Sequence, residues 1–259
     1  MTGILLTNAG GLAVLMTALW GLSLVLRDAS IVDPFWGLGF AVVAWTSAVV
    51  ADSLGTEGAV LVALTTVWGL RLTAYLSWRN LGKGEDFRYR AMRKRWGERF
   101  PLVSLGTVFL LQGALLWVVS LPVQLGQDPG PGEKLEWLGG AGIALWAVGL
   151  FFETVGDAQL ARFKAVPANE GHVLDSGLWR YTRHPNYFGD FCVWWGLFLV
   201  AAALGAPWWT GVGPVLMSVL LVRVSGVALL ERSLSRRKPG YEEYVRRTSA
   251  FFPRPPQRR

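Results

Sequence analysis

The stretch LVSLGTVFLLQGALLWVVSLPVQL, Leu102 to Leu125, contains no charged residue. About 20 apolar residues are enough to cross the hydrocarbon core of a bilayer, so this run reads as a membrane-spanning helix. Working outward, comparable runs lie near residues 3–26, 31–51, 58–78, 137–157, 187–206 and 208–230. Together with 102–124 they predict seven transmembrane helices in an all-α, polytopic membrane protein. The run EWLGGAGIALWAVGLFFETVGDAQL turns polar at its end, so its helix is expected to continue out of the membrane.

Composition supports the same class. Of 259 residues, 52% are hydrophobic and only 17% charged, and mean hydropathy is +0.36. A soluble domain of this length would carry more charge. The 14 tryptophans suit bilayer interfaces. The net charge of +7 does not indicate nucleic acid, because the cations cluster in the segments joining the apolar runs. Cys192 is the only cysteine, so a disulfide or a cysteine-rich metal site within the chain is excluded, and with His172 and His184 the only histidines a histidine-based metal site is not expected. The first apolar run has no basic n-region and no small-residue cleavage pattern, and is expected to be a permanent span.

Sidedness follows from the Lys/Arg bias of the connections. The link from Arg79 to Pro101 carries eight cations, among them Lys83, Arg88, Arg90, Arg93, Lys94 and Arg95. The link from Arg162 to His184 and the tail after Glu231 are also basic, whereas Asp52–Glu57 and Asp128–Glu136 hold acids and one lysine. This alternation predicts the N-terminus outside and the C-terminus cytoplasmic. The chain is expected to be one domain, 1–259, with a cofactor-binding half near 137–259. Its last residues, FFPRPPQRR, are expected to fray.

Ionisable groups within spans are costly and usually face a cavity or a partner. Asp33, in SIVDPFWGLGF, precedes Pro34 and is placed like an N-cap. It reads either as a capping acid or as a proton-donating acid on a pocket floor. Arg71 lies in VWGLRLTAYLSW with Trp68 three residues before it and Tyr75 four after, all on one helical face. That face reads as a pocket wall or as a snorkelling arginine. Glu153 and Asp157 share a face at a helix end where the macrodipole prefers cations, which points to a role with ligand amides or hydroxyls. Lys164 follows about two turns on.

The fourth set is RYTRHPNYFGD, Arg180–Asp190. Pro185 suits the first turn of a helix, whose free N–H groups favour anions. Asn186 and Asp190 share one face, and Arg180, Arg183, Tyr181 and His184 stand beside them. A snorkelling basic collar accounts for the arginines but not for Asn186 and Asp190 within an apolar run. In the long basic link, Gly82 and Gly84 would permit close backbone approach to a phosphate. Lys83, Arg88 and Arg90 would supply charge there, although lipid headgroups attract the same residues. Arg223 and Glu231, two turns apart, are placed to close the pocket.

These stretches, with ERSLSRRKPGYEEYVRRTSAFFP, resemble the bacterial branch of the steroid 5α-reductase family. The resemblance implies a seven-helix fold holding NADPH in a cavity open to the cytoplasm. It also implies reduction of a carbon–carbon double bond conjugated to a ketone, in a Δ4-3-ketosteroid-like lipophilic substrate. By position, Asn186, Asp190 and Asp157 match cofactor contacts, Lys164 and His172 match phosphate-binding arginines, and Glu153 stands where relatives can have asparagine. Asp33 falls near the acid that polarises the ketone. Animal relatives have a Gln-Glu pair where this chain has Val32-Asp33, and Trp68 stands where they have a ketone-binding tyrosine. Trp68 and Tyr75 are accordingly the substrate-binding candidates, and Arg71, Arg223 and Glu231 join the cofactor set. The expected partners are a lipophilic enone and membrane lipids, with no nucleic acid and a monomeric chain; in a bacterium the site would lie in the inner membrane. The competing readings are an S-adenosylmethionine-dependent membrane methyltransferase, which shares RHPNYFG and the Glu-then-Tyr ending, and a non-catalytic lipid-binding protein.

Overall fold

The structure, a computed structural model, describes residues 1–51, 56–127, 136–224 and 240–257. Among these residues the protein is helical and contains no β-strand. It divides into two compact units, Met1–Gly139 with Val200–Gly213, and Gly140–Leu199 with Pro214–Arg259.

In the first unit, α1 (Thr2–Leu26) ends at Arg27, whose left-handed φ of 54° closes the helix C-terminus. A 3-10 turn, Ala29–Ile31, leads into α2 (Val32–Val50). Asp28 caps this turn by accepting from the Ser30 N–H at 2.8 Å. The capping expected of Asp33 therefore belongs to Asp28, and Asp33 sits inside the first turn of α2. Next come α3 (Thr56–Asn80), the basic α4 (Phe87–Trp96) and α5 (Phe100–Ser104). The run 102–124, expected to be one helix, is interrupted. A π-helical turn, Leu105–Leu110, joins α5 to α6 (Leu111–Val119), and the chain breaks at Ser120 before α7 (Leu121–Leu125). Pro122 has no N–H to continue the ladder, and Gln124 donates to the Trp117 carbonyl at 2.8 Å.

Where lipid surrounds the protein, apolar burial gives helices little reason to associate, and interhelical polar bonds contribute about 0.6–2 kcal/mol each. The first unit uses several. Buried Asn8 donates to Ser47 at 2.8 Å and to Gln124 at 3.1 Å, tying α1 to α2 and α7. The indole N–H groups of Trp20 and Trp117 donate to the carbonyls of Pro101 and Leu5.

The second unit is built on α8 (Trp137–Ala165) and α9 (Pro185–Ala203). Their facing sides carry glycines seven residues apart, at 142, 149 and 156 on α8 and at 189 and 196 on α9. A Cβ on Gly189 would lie 2.6 Å from the Glu153 amide nitrogen and the Gly149 carbonyl, so the two backbones touch. Further on are α10 (Val212–Val219), a π-helical turn Leu220–Val224, and α11 (Tyr241–Arg247). The tail is packed, contrary to the expected fraying. Thr182 Oγ1 donates to the Phe251 carbonyl at 2.8 Å, and the Arg254 N–H donates to the Tyr181 carbonyl at 3.0 Å. The rings of Phe251 and Phe252 lie edge-on to Phe188 and Phe191.

Among the described residues, five helical runs are long and apolar enough to cross a membrane: Thr2–Leu26, Ala29–Val50, Gly58–Asn80, Phe87–Val119 and Trp137–Ala165. The last extends beyond 157, as its polar end implied. The two remaining stretches are helical as well, over Pro185–Ala203 and Trp208–Arg223.

Candidate functional site

In the second unit, α8 presents Glu153 and Asp157, only 3% and 4% exposed. Charged groups at such depth require hydrogen-bonded partners. The start of α9 supplies one, since Asn186 Nδ2 donates to Asp157 Oδ1 at 3.1 Å. Pro185 opens α9 without an N–H to leave unsatisfied. The His184 and Tyr187 rings stack in parallel, 6° apart in plane with centroids at 5.4 Å. Asp190 lies one turn beyond Asn186 on the same face. The loop between the helices is fastened to α8: the Leu178 N–H donates to Gln159 Oε1 at 3.0 Å, and the Trp179 indole to the Gly156 carbonyl at 3.1 Å.

The first unit holds a second polar group. Asp33 Oδ2 accepts from Arg88 Nη2 at 2.6 Å, and Oδ1 accepts from the Tyr89 hydroxyl at 2.7 Å. Beside it, Glu85 accepts from Arg93 at 2.8 and 3.1 Å and from the Ala29 N–H at 2.9 Å. The Asp86 N–H donates to Ser30 Oγ at 2.6 Å. Burial pushes the Glu85 carboxyl up, but the bonds from Arg93 and Ala29 and the charges of Arg93 and Arg90 outweigh it. They hold the group below its ordinary 4.5. Asp86 is likewise lowered, with burial opposed by Arg88 and its backbone N–H. The 3-10 turn, the start of α2 and the start of α4 are thereby locked together.

The family described as "Protein of unknown function (DUF1295)" matches residues 19–248, most of the chain. The chain belongs to this family. DUF1295 is a steroid 5α-reductase-like membrane family. The chain is also similar to an uncharacterized protein of Schizosaccharomyces pombe, C594.04c. The two are 23% identical over 273 residues, covering 93% of this chain and 77% of that protein. No solved structure matches the chain.

In this DUF1295 chain, the residues expected to serve the cofactor separate into groups. Glu153, Asp157, His184, Asn186 and Asp190 belong to α8 and the start of α9. Lys164 is exposed in the last turn of α8, and His172 and Tyr181 are exposed on the connection between α8 and α9. Arg183, read as a phosphate donor, is instead buried and donates to the carbonyls of Val245 and Thr248 at 2.9 and 2.6 Å. Its Nη1 is committed to the tail. Arg223 is exposed at the end of the described part of its helix, and Glu231 lies outside the described residues. In the first unit, Arg71 stands over the Tyr75 ring at 5.4 Å, and Trp68 is fully buried against Phe40. Arg88 is taken by Asp33 and Asp86, while Lys83 and Arg90 are exposed. Gly82 and Gly84 have φ of 73° and 67° with open space around them. Their left-handed backbone shapes the turn.

Sequence reasoning missed Tyr89, Glu85 and Gln159. Tyr89 stood in plain view in FRYR, but that run was read for its charges alone.

Proposed function

We propose that the protein is an NADPH-dependent membrane reductase of seven transmembrane helices, with its N-terminus outside and its C-terminus cytoplasmic. Its reaction would be reduction of a carbon–carbon double bond conjugated to a ketone, in a lipophilic, Δ4-3-ketosteroid-like substrate. Membership of a 5α-reductase-like family supports this reading. The observation that carries it is the Asn186–Asp157 hydrogen bond beside buried Glu153 at the start of α9. A stability-driven sequence would not bury two acids at this depth.

The donor set fits the cofactor. Amide and carboxylate groups suit a carboxamide and ribose hydroxyls, the helix start favours an anion, and the parallel His184–Tyr187 pair offers a flat face. Bound there, the dihydronicotinamide would supply the hydride. Asp157, Asn186 and Asp190 would orient it. In the first unit, Asp33 uses both carboxylate oxygens as acceptors, so Tyr89 carries the proton of that group. A ketone oxygen exchanged for Asp33 at the Tyr89 hydroxyl would gain a donor for the negative charge it develops. Asp33 would then keep its ion pair with Arg88. The pairing of Arg71 with Tyr75 suits a substrate wall.

One observation favours the methyltransferase reading. Arg183 and Arg88, counted as phosphate ligands, are engaged within the protein, and buried acids also suit a cationic sulfonium. The deciding experiment measures binding of NADPH and S-adenosylmethionine side by side to detergent-purified protein, wild type and Asn186→Ala. NADPH binding weakened about tenfold or more by the substitution supports the reductase, since a hydrogen bond to a charged group contributes roughly 1.5–3 kcal/mol. S-adenosylmethionine binding without NADPH binding overturns it.

A further inference from the structure

The helix α4, FRYRAMRKRW, carries five cations in ten residues. At about 100° per residue, Arg90, Lys94, Phe87, Ala91 and Arg95 fall on one arc of about 140°. All five are exposed, and Phe87, at the centre of the arc, is 70% exposed. On the opposite side Tyr89 is buried and Met92 and Arg93 are half-buried. That inner side is fastened by Tyr89 to Asp33, by Arg93 to Glu85, and by the Arg93 guanidinium over the Phe100 ring at 4.1 Å. The direction of the outer arc is therefore fixed. Arg88 is held by Asp33 and Asp86, but within the described residues no ion pair holds Arg90, Lys94 or Arg95.

Chain geometry restricts what can meet this arc. The preceding candidate span ends at Asn80, and α4 is the polar start of the helical run Phe87–Val119, whose apolar part is long enough to cross a membrane. From Arg95 to Leu102 the chain reaches about 10 Å. A headgroup layer is roughly 5–8 Å deep on each side of the hydrocarbon core. Tyr89 is bonded to Asp33 in the first turn of the candidate span Ala29–Val50, so the α4 arginines and lysine stand at the level of the lipid phosphates. A soluble phosphate would gain nothing from an exposed phenyl ring amid its cations, whereas an interface takes up both.

We propose that the outer arc of α4 docks on anionic phospholipid headgroups, with Arg90, Lys94 and Arg95 on the phosphates and Phe87 at the headgroup–acyl boundary. This surface is independent of the reductase reading, and it assigns Arg90 to lipid in place of cofactor. It makes the attachment of the 81–99 link, and hence the seating of Tyr89 against Asp33, responsive to the lipid composition of the membrane.

The test is hydrogen–deuterium exchange of the full chain in nanodiscs of phosphatidylcholine, with and without phosphatidylglycerol. A cation near an anionic surface gains about fivefold in binding. Exchange across residues 87–96 should therefore slow by about fivefold or more with phosphatidylglycerol, and added salt should reverse the effect. The triple variant Arg90→Gln, Lys94→Gln, Arg95→Gln should lose this response while α8 exchanges as in wild type. The salt series on wild type stands even if that variant does not fold. Equal exchange in the two lipids overturns the proposal. So does equal slowing by inorganic phosphate or NADPH in phosphatidylcholine alone, which would make the arc a soluble-phosphate site.

Discussion

Asp33 shows how far a single residue can be read. An acid at the head of an apolar run announces itself in sequence, because lipid tolerates a carboxylate only beside a partner. The partners, Arg88 and Tyr89, are 55 and 56 positions away, and no local pattern names them. The proximity of Pro34 suggested a cap, yet the cap is Asp28, five residues earlier. On the reductase reading, Tyr89→Phe removes the proton-bearing member of the group while Asp33 keeps Arg88. Loss of one such donor costs about 10²–10³ in turnover. Enone reduction by this variant should fall by that factor, with NADPH affinity unchanged when both are measured on the same preparation. A variant that reduces enones as wild type does would remove Tyr89 from the chemistry.

At the scale of elements, the seven apolar stretches were legible and all are helical where described; the breaks at 105–110 and at Ser120 were not. Hydropathy measures only whether a segment suits lipid, so it cannot see a turn whose polar groups are satisfied by Gln124. The α8–α9 contact is intermediate. Glycines seven apart are visible in sequence, but their partner helix is a tertiary fact. Gly189→Ala places a Cβ 2.6 Å from two backbone atoms, which cannot rotate aside as a side chain would. The helices must separate, at a cost of about 1–3 kcal/mol. Gly140→Ala, with nothing within 4 Å, should instead gain up to about 1 kcal/mol from helix propensity. Thermal unfolding of the two variants in one detergent should therefore shift in opposite directions.

The link carrying α4 has its own pH dependence. Glu85 is more acidic folded than its ordinary 4.5, so in the folded state it binds its proton less readily. Its contribution is then fully present above that value and is lost as pH falls through the lower, folded one. Protection of residues 85–96, taken relative to the intrinsic amide exchange rate at each pH, should fall on acidification below about pH 4.5. Glu85→Gln should show faster exchange already at neutral pH and a flatter response. An identical profile in both proteins would place the acid-labile anchor elsewhere.

For the whole molecule, the C-terminal residues FFPRPPQRR were expected from sequence to fray. In the structure Thr248, Ser249 and Phe251 brace the turn that starts α9. The Ser249 carbonyl accepts from the Arg183 N–H at 2.9 Å, the Thr248 carbonyl from its guanidinium, and the Phe251 carbonyl from Thr182. Those three carbonyls hold the residues immediately before His184, Pro185 and Asn186. Truncation after Arg247 removes them all and leaves a buried guanidinium short of an acceptor, a defect that costs about 1–3 kcal/mol or more for a charged group. The truncated protein should unfold at lower temperature. If the start of α9 is where NADPH binds, it should also lose that binding while still inserting into the membrane. Arg183→Lys separates packing from charge: a lysine keeps the cation but loses the planar guanidinium whose Nη1 donates to both Val245 and Thr248. It should therefore follow the truncation in NADPH affinity, with a smaller loss of thermal stability. Wild-type NADPH affinity in both proteins would mean that the tail stabilises the second unit without shaping its site.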